Sequence, residues 1–277
     1  MVAIVIPIYK EFSDLDFAEK ISLMQTFKVL HAHDICFVTH KDINIEAYSH
    51  TKPPGVKIKT FIFDKSYFAN IDGYNKLLLG YEFYKSFTAY THILICQLDV
   101  FVFSDRVEHF IKMDYDYIGA PWFEGYGLAL KTSKLIGSGN GGFSLRRVKT
   151  FLNVLDLFNL FRFPFFNVYG IQEALTHVNI FLKITKHSFL VKKRSYLPIL
   201  PWQFPYYEDR YWSEYVKQFF PWFKVATIKD ATAFSFEANP EVLFSLNNQE
   251  LPMACHAWQK HNPEFWKPHI EKFGYRL

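Results

Sequence analysis

Several short apolar runs in this chain are continuous rather than alternating, and segments with helical spacing separate them. Val2–Tyr9, Ile35–Thr39 and Ile93–Leu98 are runs of this kind, and Val56–Phe63 is a further strand candidate. Continuous apolar runs are typical of strands that are buried on both faces, as in a parallel sheet covered by helices. The pattern therefore predicts an open, mostly parallel α/β sheet, and such sheets bind their ligands at the carboxyl ends of the strands.

The segments between these runs show the spacing of amphipathic helices. Leu15–Leu30 follows a candidate cap at Ser13 and Asp14, and Tyr74–Phe87 is a second helical segment. Beyond residue 115 the rhythm changes to short strands around a glycine-rich loop, followed by predicted helices at Phe151–Leu160, Glu208–Phe220 and Pro263–Phe273. Because no linker or repeat interrupts the chain, we expect one domain over residues 1–277, with halves 1–115 and 116–277.

Composition and charge exclude several classes of protein. Half of the 277 residues are apolar and 19% are aromatic, which supplies a large core and excludes a disordered chain. The formal charge of +4 suits a phosphorylated ligand, whereas nucleic-acid binders carry a denser basic stripe, so we expect no nucleic-acid partner. The three scattered cysteines lie in apolar stretches, and we expect buried thiols in a reducing, cytoplasmic compartment.

The longest apolar stretches are too short to cross a membrane. Ile93–Phe103 and Phe158–Phe166 are each interrupted by a charged residue, and both are shorter than the ~20 residues that a membrane helix needs. Val2–Tyr9 lacks the flanks of a signal peptide. The aromatic segment Leu157–Phe166 could instead contact the membrane peripherally at its inner face, and core packing is the alternative.

Asp99 is the first candidate for chemistry, because it stands directly after the apolar run His92–Leu98. A carboxylate at the carboxyl end of a central strand lies where an open α/β sheet binds ligands. It is also a hard oxygen ligand that suits Mg²⁺ or Mn²⁺ beside a diphosphate. An Asp that begins a turn or caps the next helix is the alternative, and the residue type alone leaves both open.

The stretch from Gly137 to Ser144 holds four glycines, all of them within its first six positions. Glycine lets the backbone approach a ligand closely, so this loop is a candidate to lie against a sugar, with a hairpin turn as the alternative. The loop lacks the Gly-Lys-Ser/Thr ending of a Walker phosphate loop.

Two further positions combine an ordinary structural role with a possible chemical one. Glu208 and Asp209 open a predicted helix, where acids cap free amides, but a rigid helix start can also hold a catalytic base. His256 lies between apolar neighbours, either as a core residue or as a metal ligand that completes a site with Asp99. Residues between the fourth strand candidate and the next helix either contact a ribose or diphosphate or simply begin the helix; they are Asp64, Tyr67, Gly73, Tyr74, Asn75 and Lys76.

The order of these features resembles the GT-A glycosyltransferases, whose Rossmann-like fold carries a DxD-type metal motif, a glycine loop, an acidic xED motif and a late histidine. The matching positions are Gln97-Leu98-Asp99, Gly139–Gly142, Glu208-Asp209 and His256. At finer grain the chain is similar to a microbial family of proposed glycosyltransferases catalogued as domain of unknown function 5672. The phrases that carry this likeness are Gly73–Leu77, Gln97–Asp99, Asp116–Trp122, Gly139–Arg146 and Cys255–Trp258.

The resemblance implies an enzyme that moves a sugar from a nucleotide-diphosphate donor, linked to UDP or GDP, onto a hydroxyl of a glycan or lipid-linked acceptor in surface polysaccharide synthesis. Residues 1–115 would bind the donor and residues 116–277 the acceptor. The implied roles are a divalent cation, Mn²⁺ or Mg²⁺, at Asp99 and His256, and Asp209 as the base of an inverting reaction. The implied donor-binding residues are Pro7, Tyr9, Asp64, Asn75, Lys76, Gln97 and Leu98. Those implied for the sugar or acceptor are Trp122, Gly141, Gly142 and Glu208.

The chain departs from the GT-A pattern in two places. Gln97 replaces the first acid of the DxD motif, so Asp99 would hold the metal with His256 and the donor phosphates, and metal affinity without nucleotide should be poor. The segment Asn167–Tyr207 matches no motif, and we expect it to carry acceptor specificity.

Two rival functions stay open. A nucleotidyltransferase usually presents a Gly- and Lys/Arg-rich loop after its first strand, where this chain has Pro7-Ile8-Tyr9-Lys10. A non-catalytic carbohydrate-binding protein would use the many Trp and Tyr residues as stacking platforms and would not need Asp209.

Overall fold

The first hundred residues supply a block of parallel strands. The computed structural model describes residues 1–160 and 200–277. Within them the strands are β1 (Val2–Pro7), β2 (Asp34–Thr39), β3 (Ile58–Ile62), β4 (His92–Cys96), β5 (Val100–Val102), β6 (Tyr117–Ile118), β7 (Pro121–Phe123), β8 (Leu135–Ser138), β9 (Phe143–Arg147), β10 (Ser235–Phe236) and β11 (Ala254–His256). β1 pairs in parallel with β2 and β4, and β2 pairs in parallel with β3. Every residue of β1 is buried, as its continuous apolar sequence predicts.

The second half of the chain completes this sheet with antiparallel strands. β9 pairs antiparallel with β4, and β6 pairs antiparallel with β9. Among the described residues the central sheet has the order β3-β2-β1-β4-β9-β6. The predicted fold class, an open and mostly parallel α/β sheet, is confirmed.

Helices pack on both faces of the sheet. In the described part of the chain they are α1 (Phe17–Val29), α2 (Ile45–Ser49), α3 (Ile71–Leu78), α4 (Tyr81–Lys85), α5 (Val107–Lys112), α6 (Val148–Leu160), α7 (Glu208–Arg210), α8 (Lys217–Phe219), α9 (Ile228–Phe234), α10 (Pro240–Leu246) and α11 (Pro263–Glu271). Successive side chains of a strand point to opposite faces. Accordingly Ile4 of β1 packs in one cluster with Phe27 of α1, whereas Val5 packs in another with Phe83 of α4 and Phe151 of α6.

Two predicted helices differ in detail from the structure. α1 begins after Asp16, whose carboxylate accepts from the Glu19 amide while Glu19 accepts from the Asp16 amide, so this capping box replaces the predicted cap at Ser13 and Asp14. The predicted helix Tyr74–Phe87 is two helices, α3 and α4, and Gly80 lies between them as the N-cap of α4.

The predicted helix Glu208–Phe220 is present with an irregular centre. Between α7 and α8 the turn Tyr211–Val216 is π-helical, a form that is rare and often occurs near functional sites. Trp212 in this turn is fully buried, lies tilted against Phe151 with ring centres 4.2 Å apart, and donates its indole N–H to the carbonyl of Leu78 at 3.2 Å. The helix is thereby fixed against α3 and α6.

A small second sheet brings the end of the chain back to the centre. β5 follows β4 after a three-residue turn and pairs antiparallel with β11, which pairs in parallel with β10. In this register His256 lies opposite Val100, one residue after Asp99. The pairing of β11 with β5 therefore places His256 beside Asp99.

The described residues also bear on the cysteine and membrane predictions. All three cysteines are buried and free. No helix in residues 1–160 and 200–277 has the length and apolar character of a membrane span. The predicted membrane-contact segment Leu157–Phe166 lies outside the described residues beyond Leu160.

Candidate active site

Asp99 and His256 form a close pair at the carboxyl end of β4. Asp99 lies in the turn between β4 and β5, and its Oδ1 is 3.3 Å from Nε2 of His256. The other ring nitrogen, Nδ1, is 3.1 Å from Oε1 of Glu237, which follows β10. Oε1 of Gln97 is 3.3 Å from Nε2. One imidazole thus stands between two carboxylates and an amide oxygen.

These neighbours shift the pKa values of the pair in opposite directions. Burial lowers the pKa of His256, but Asp99 and Glu237 outweigh it and raise the pKa to about 10. Burial raises the pKa of Asp99, but the neighbouring His256 outweighs it and holds the pKa below its ordinary value. A cation at His256 would compete with a proton, because histidine binds metals through a deprotonated ring nitrogen.

The donor set fits a divalent cation. Oδ1 of Asp99 is buried and makes no hydrogen bond within the described residues. Its 3.3 Å separation from Nε2 of His256 resembles the roughly 3 Å between adjacent ligands of an octahedral ion with bonds of about 2.1 Å. Glu237 stands behind the imidazole, where a carboxylate commonly orients a metal-bound histidine. Asp99 and His256 would hold the ion, and Glu237 would hold the ring.

Protein atoms alone do not make a complete metal cage here. Within the described part of the chain, no group of three or more His, Cys, Asp or Glu side chains could hold a metal ion. Magnesium sites of this kind use one or two carboxylates and take their remaining ligands from water and substrate phosphates. The site therefore fits a cation that binds together with a phosphorylated ligand.

A cavity of about 400 Å³ opens at this edge of the sheet. Its volume lies in the roughly 300–1,000 Å³ range of small-molecule sites. It brings together Asp99 and four of the predicted donor-binding residues, Pro7, Tyr9, Gln97 and Leu98. The other residues that line it are Glu19, Phe68, Ala69, Asn70, Ile71 and Tyr74.

The glycine loop lies between the Asp99–His256 pair and Asp209. A Cβ at Gly141 would collide with the carboxylate of Glu208, and a Cβ at Gly142 would collide with the imidazole of His256. Asn140 shapes the turn with a φ of 71°, and its side-chain oxygen accepts the amide N–H of Gly142 at 3.0 Å. The two glycines are therefore required by close approach to the site.

Trp122 contacts the same loop at Gly139. It is buried in β7, and a Cβ at Gly139 would collide with its indole ring. Among the residues predicted to contact the sugar or acceptor, Trp122 thus packs against Gly139, whereas Gly141 and Gly142 approach Glu208 and His256.

Glu208 is held in a buried ion pair. Two nitrogens of Arg146 donate to its carboxylate at 2.9 and 2.7 Å, and both side chains are almost fully buried. Arg146 also donates to the hydroxyls of Tyr84 and Ser144. The backbone N–H of Glu208 donates to Oδ1 of Asn75 at 3.0 Å. These bonds fix the start of α7.

Asp209 is positioned by two backbone amides. Oδ2 accepts the N–H of Gly141 at 3.1 Å, and Oδ1 accepts the N–H of Arg210 at 2.8 Å. Burial, with the neighbouring charge of Glu208, raises its pKa to about 7. A general base is most effective with a pKa near the working pH, so this carboxylate suits proton transfer at neutrality.

The remaining predicted residues lie elsewhere. Asp64 caps the short 3₁₀ turn Lys65–Phe68 by accepting from Ser66, and it does not line the Asp99 cavity. Asn75 and Lys76 line a second cavity between α3 and the segment before α7. The acceptor-specificity prediction for Asn167–Tyr207 falls on described residues only from residue 200 onward.

Sequence reasoning missed Glu237 and the structural role of Arg146. Glu237 follows a two-residue strand, which is too short to produce a detectable pattern. Arg146 shares one face of β9 with Ser144, while Phe143 and Leu145 point to the other face. The polar face of β9, a central strand of the sheet, was the sequence feature that could have indicated the role of Arg146.

Comparisons with known proteins identify the family of the chain. The model of a family described as "Protein of unknown function (DUF5672)" matches residues 57–256. No curated protein matches the chain by sequence.

Several solved glycosyltransferase structures are similar to this chain. The galactosyltransferase LgtC, in complex with donor and acceptor sugar analogues, is 10% identical with a TM-score of 0.50, covering 98% of this chain and 95% of that one. Mouse xyloside xylosyltransferase 1 is 9% identical with a TM-score of 0.48, covering 92% and 97%. GlyE of Streptococcus pneumoniae TIGR4 is 10% identical with a TM-score of 0.43; the match covers 92% of this chain, which spans about half, 54%, of GlyE. The likeness to LgtC establishes the GT-A fold.

Proposed function

Because the chain belongs to the family described as protein of unknown function (DUF5672) and has the GT-A fold, we propose that it transfers a sugar from a nucleotide-diphosphate donor to a hydroxyl acceptor. One observation carries the proposal. The glycine loop connects a cation-type pair, Asp99 and His256, to a carboxylate with a pKa near neutrality, Asp209. A leaving diphosphate and an attacking hydroxyl need these two kinds of group.

The cavity beside Asp99 suits the donor. Tyr9 and Phe68 are aromatic residues that line it and would contact the nucleobase, and the polar residues Gln97 and Asp99 suit the diphosphate. A cation bound there would stabilise the negative charge that develops on the leaving diphosphate. Glu237 keeps the ring of His256 oriented by accepting from Nδ1. We propose a UDP- or GDP-linked donor and Mn²⁺ or Mg²⁺ as the ion.

Asp209 is the proposed general base. The acceptor oxygen forms a bond to C1 of the sugar as the bond from C1 to the phosphate oxygen breaks, and the acceptor proton passes to Asp209. Glu208 cannot take this role as it stands, because its carboxylate is committed to Arg146. Attack assisted from the face opposite the diphosphate gives an inverted product.

The proposed acceptor is a glycan or a lipid-linked saccharide. The three free, buried thiols support a reducing compartment, so we propose that the reaction takes place in the cytoplasm or at the inner face of the membrane.

Donor hydrolysis tests the proposal without knowledge of the acceptor. A panel of UDP- and GDP-sugars is incubated with the protein and Mn²⁺, and release of the nucleoside diphosphate is measured. We expect slow release from one donor, and loss of release with chelator. Release of pyrophosphate from a nucleoside triphosphate would indicate a nucleotidyltransferase instead, and binding without any release would indicate a carbohydrate- or nucleotide-binding protein.

A further inference from the structure

A second cavity, of about 520 Å³, lies next to the candidate active site. It runs between α3 and the segment from Pro201 to Tyr207. The residues that line it are Ile71, Asp72, Asn75, Lys76, Leu79, Pro201, Trp202, Phe204, Pro205, Tyr206 and Tyr207. One wall is thus aromatic. The facing wall carries the carboxylate of Asp72, the amide of Asn75 and the ammonium group of Lys76. The proposed donor site does not use this cavity.

The aromatic wall is held rigidly. Pro201 and Pro205 restrict the backbone of the segment, because the proline ring fixes φ. Phe204, between them, packs edge-on against Tyr211 with ring centres 5.0 Å apart, and it also contacts Tyr215 at 5.5 Å. The segment is anchored in the core at its midpoint.

The side chains on either side of this anchor stay accessible. Trp202 is 37% exposed, Tyr206 59% and Tyr207 58%. The guanidinium of Arg210 lies 5.0 Å from the ring centre of Tyr206, and Glu214 holds Arg210 in turn. Aromatic rings that are fixed and still accessible lose little entropy when a ligand stacks on them.

The facing wall selects the kind of ligand. Asp72 and Lys76 lie on α3, one turn apart, and can accept from and donate to hydroxyl groups. A pyranose offers flat C–H surface to aromatic rings and a rim of hydroxyls to such polar groups. A membrane interface fits less well, because inserting the Asp72 carboxylate and the Lys76 ammonium would cost desolvation energy.

The cavity is linked directly to the proposed base. Asn75, in its wall, accepts the backbone N–H of Glu208 at 3.0 Å, and Asp209 is the next residue. Tyr206 and Tyr207 immediately precede this pair in the chain. The aromatic wall is therefore continuous in sequence with the proposed base.

We propose that this cavity binds the saccharide of the acceptor, with Trp202 and Tyr206 as stacking platforms and Asp72 and Lys76 as hydroxyl partners. The proposal rests on the proposed glycosyl transfer, because it assigns the acceptor side of the same reaction.

Saccharide binding is the direct test. Saturation-transfer difference NMR is recorded on the wild-type protein with a panel of disaccharides, namely lactose, cellobiose and chitobiose. We expect a signal from at least one disaccharide, reduced about tenfold or more in affinity by Trp202→Ala and by Tyr206→Ala, since each tenfold loss corresponds to about 1.4 kcal/mol of lost stacking. Trp202→Phe should retain most of the binding.

Trp222→Ala is the matched control, because Trp222 is also 37% exposed but does not line this cavity. It should bind the disaccharide as the wild type does, and thermal melting of each variant checks folding. Donor hydrolysis without acceptor should be unchanged in Trp222→Ala.

The outcomes separate this proposal from the previous one. Absence of a disaccharide signal from the wild type, or an equal loss in Trp202→Ala and Trp222→Ala, would overturn the acceptor assignment even if donor hydrolysis succeeds. Saccharide binding that depends on Trp202 without donor hydrolysis would support the cavity and reject glycosyl transfer. Co-sedimentation with vesicles of phosphatidylethanolamine and phosphatidylglycerol that Trp202→Ala abolishes, with saccharide binding intact, would identify a membrane contact instead.

Discussion

Asp209 has two possible roles that one substitution separates. Asp209→Asn keeps the size and shape of the side chain and one acceptor oxygen, so it can retain one of the two hydrogen bonds from the amides of Gly141 and Arg210. It removes the ability to accept a proton, and we expect turnover to fall by ~100-fold or more, the usual scale of general base catalysis. Nucleotide affinity in the presence of Mn²⁺ should be unchanged. Transfer rate and calorimetry measure the two effects, and an active variant would return Asp209 to a structural role.

The same substitution should stabilise the protein at alkaline pH. The folded-state pKa of Asp209, about 7, is above its ordinary value of 3.8, so the folded protein loses stability as pH rises through this range and Asp209 ionises. An Asn cannot ionise, and Asp209→Asn should gain at most about 4 kcal/mol at pH 8 and little at pH 4. Thermal melting of both proteins across this pH range measures the difference. A constant difference would refute the raised pKa.

Glu208 sets the electrostatic environment of the proposed base. Its negative charge contributes to the raised pKa of Asp209, so Glu208→Gln should move the rising limb of the pH–rate profile to lower pH. The variant also leaves the buried Arg146 without its charge partner, which should cost about 3–5 kcal/mol of folding stability. Initial rates across the pH range test the first effect and denaturant unfolding the second. A profile at the wild-type position would argue against Asp209 as the titrating base.

Asp99 and His256 should differ in how strongly they affect nucleotide binding. Asp99 supplies the carboxylate of the proposed cation site, so Asp99→Ala should abolish Mn²⁺-dependent binding of UDP or GDP. His256→Ala leaves that carboxylate in place and should weaken the same binding less. Calorimetry with and without Mn²⁺ makes the comparison, with thermal melting as the folding control. Equal affinity in the wild type and Asp99→Ala would end the metal assignment.

At the scale of elements, the glycine loop depends on close approach more than on flexibility. A methyl group at Gly142 would meet the imidazole of His256, whereas a methyl group at Gly137 would meet open space. We expect Gly142→Ala to weaken Mn²⁺-dependent nucleotide binding by about tenfold or more, because the ring or the loop must shift. Gly137→Ala is the matched control and should bind as the wild type does. Similar affinities for the two variants would show that the loop tolerates displacement.

Elements also differ in how well the sequence predicts them. The strands β1 and β2 can be recognised in the sequence, because a strand that is buried on both faces has apolar residues at successive positions. The break between α3 and α4 at Gly80 and the π-helical turn after Arg210 leave no comparable signature, because their geometry follows from tertiary packing. Trp212, for example, is held by Leu78 and Phe151, which are far from it in sequence.

At the scale of the whole molecule, the fold and part of the candidate site could be predicted from the sequence. The partner of each acidic residue in the site could not. The strand-end position of Asp99 follows from local pattern. The ion pairs of Glu208 with Arg146 and of Glu237 with His256 join elements that are far apart in the chain or of different type, and no local spacing in the sequence encodes those contacts. Adjacent acids such as Glu208 and Asp209 look equivalent in sequence and differ only in their surroundings.

The antiparallel pairing of β5 with β11 has a consequence for how the protein becomes functional during synthesis. The parallel strands β1 to β4 are all present once the first hundred residues have left the ribosome, but His256 reaches Asp99 only when β11 pairs. Contacts between such distant residues form late, because their loop-closure entropy must be overcome first. We therefore expect the parallel strands to pair before the Asp99–His256 contact forms, because that contact needs β11, near the end of the chain.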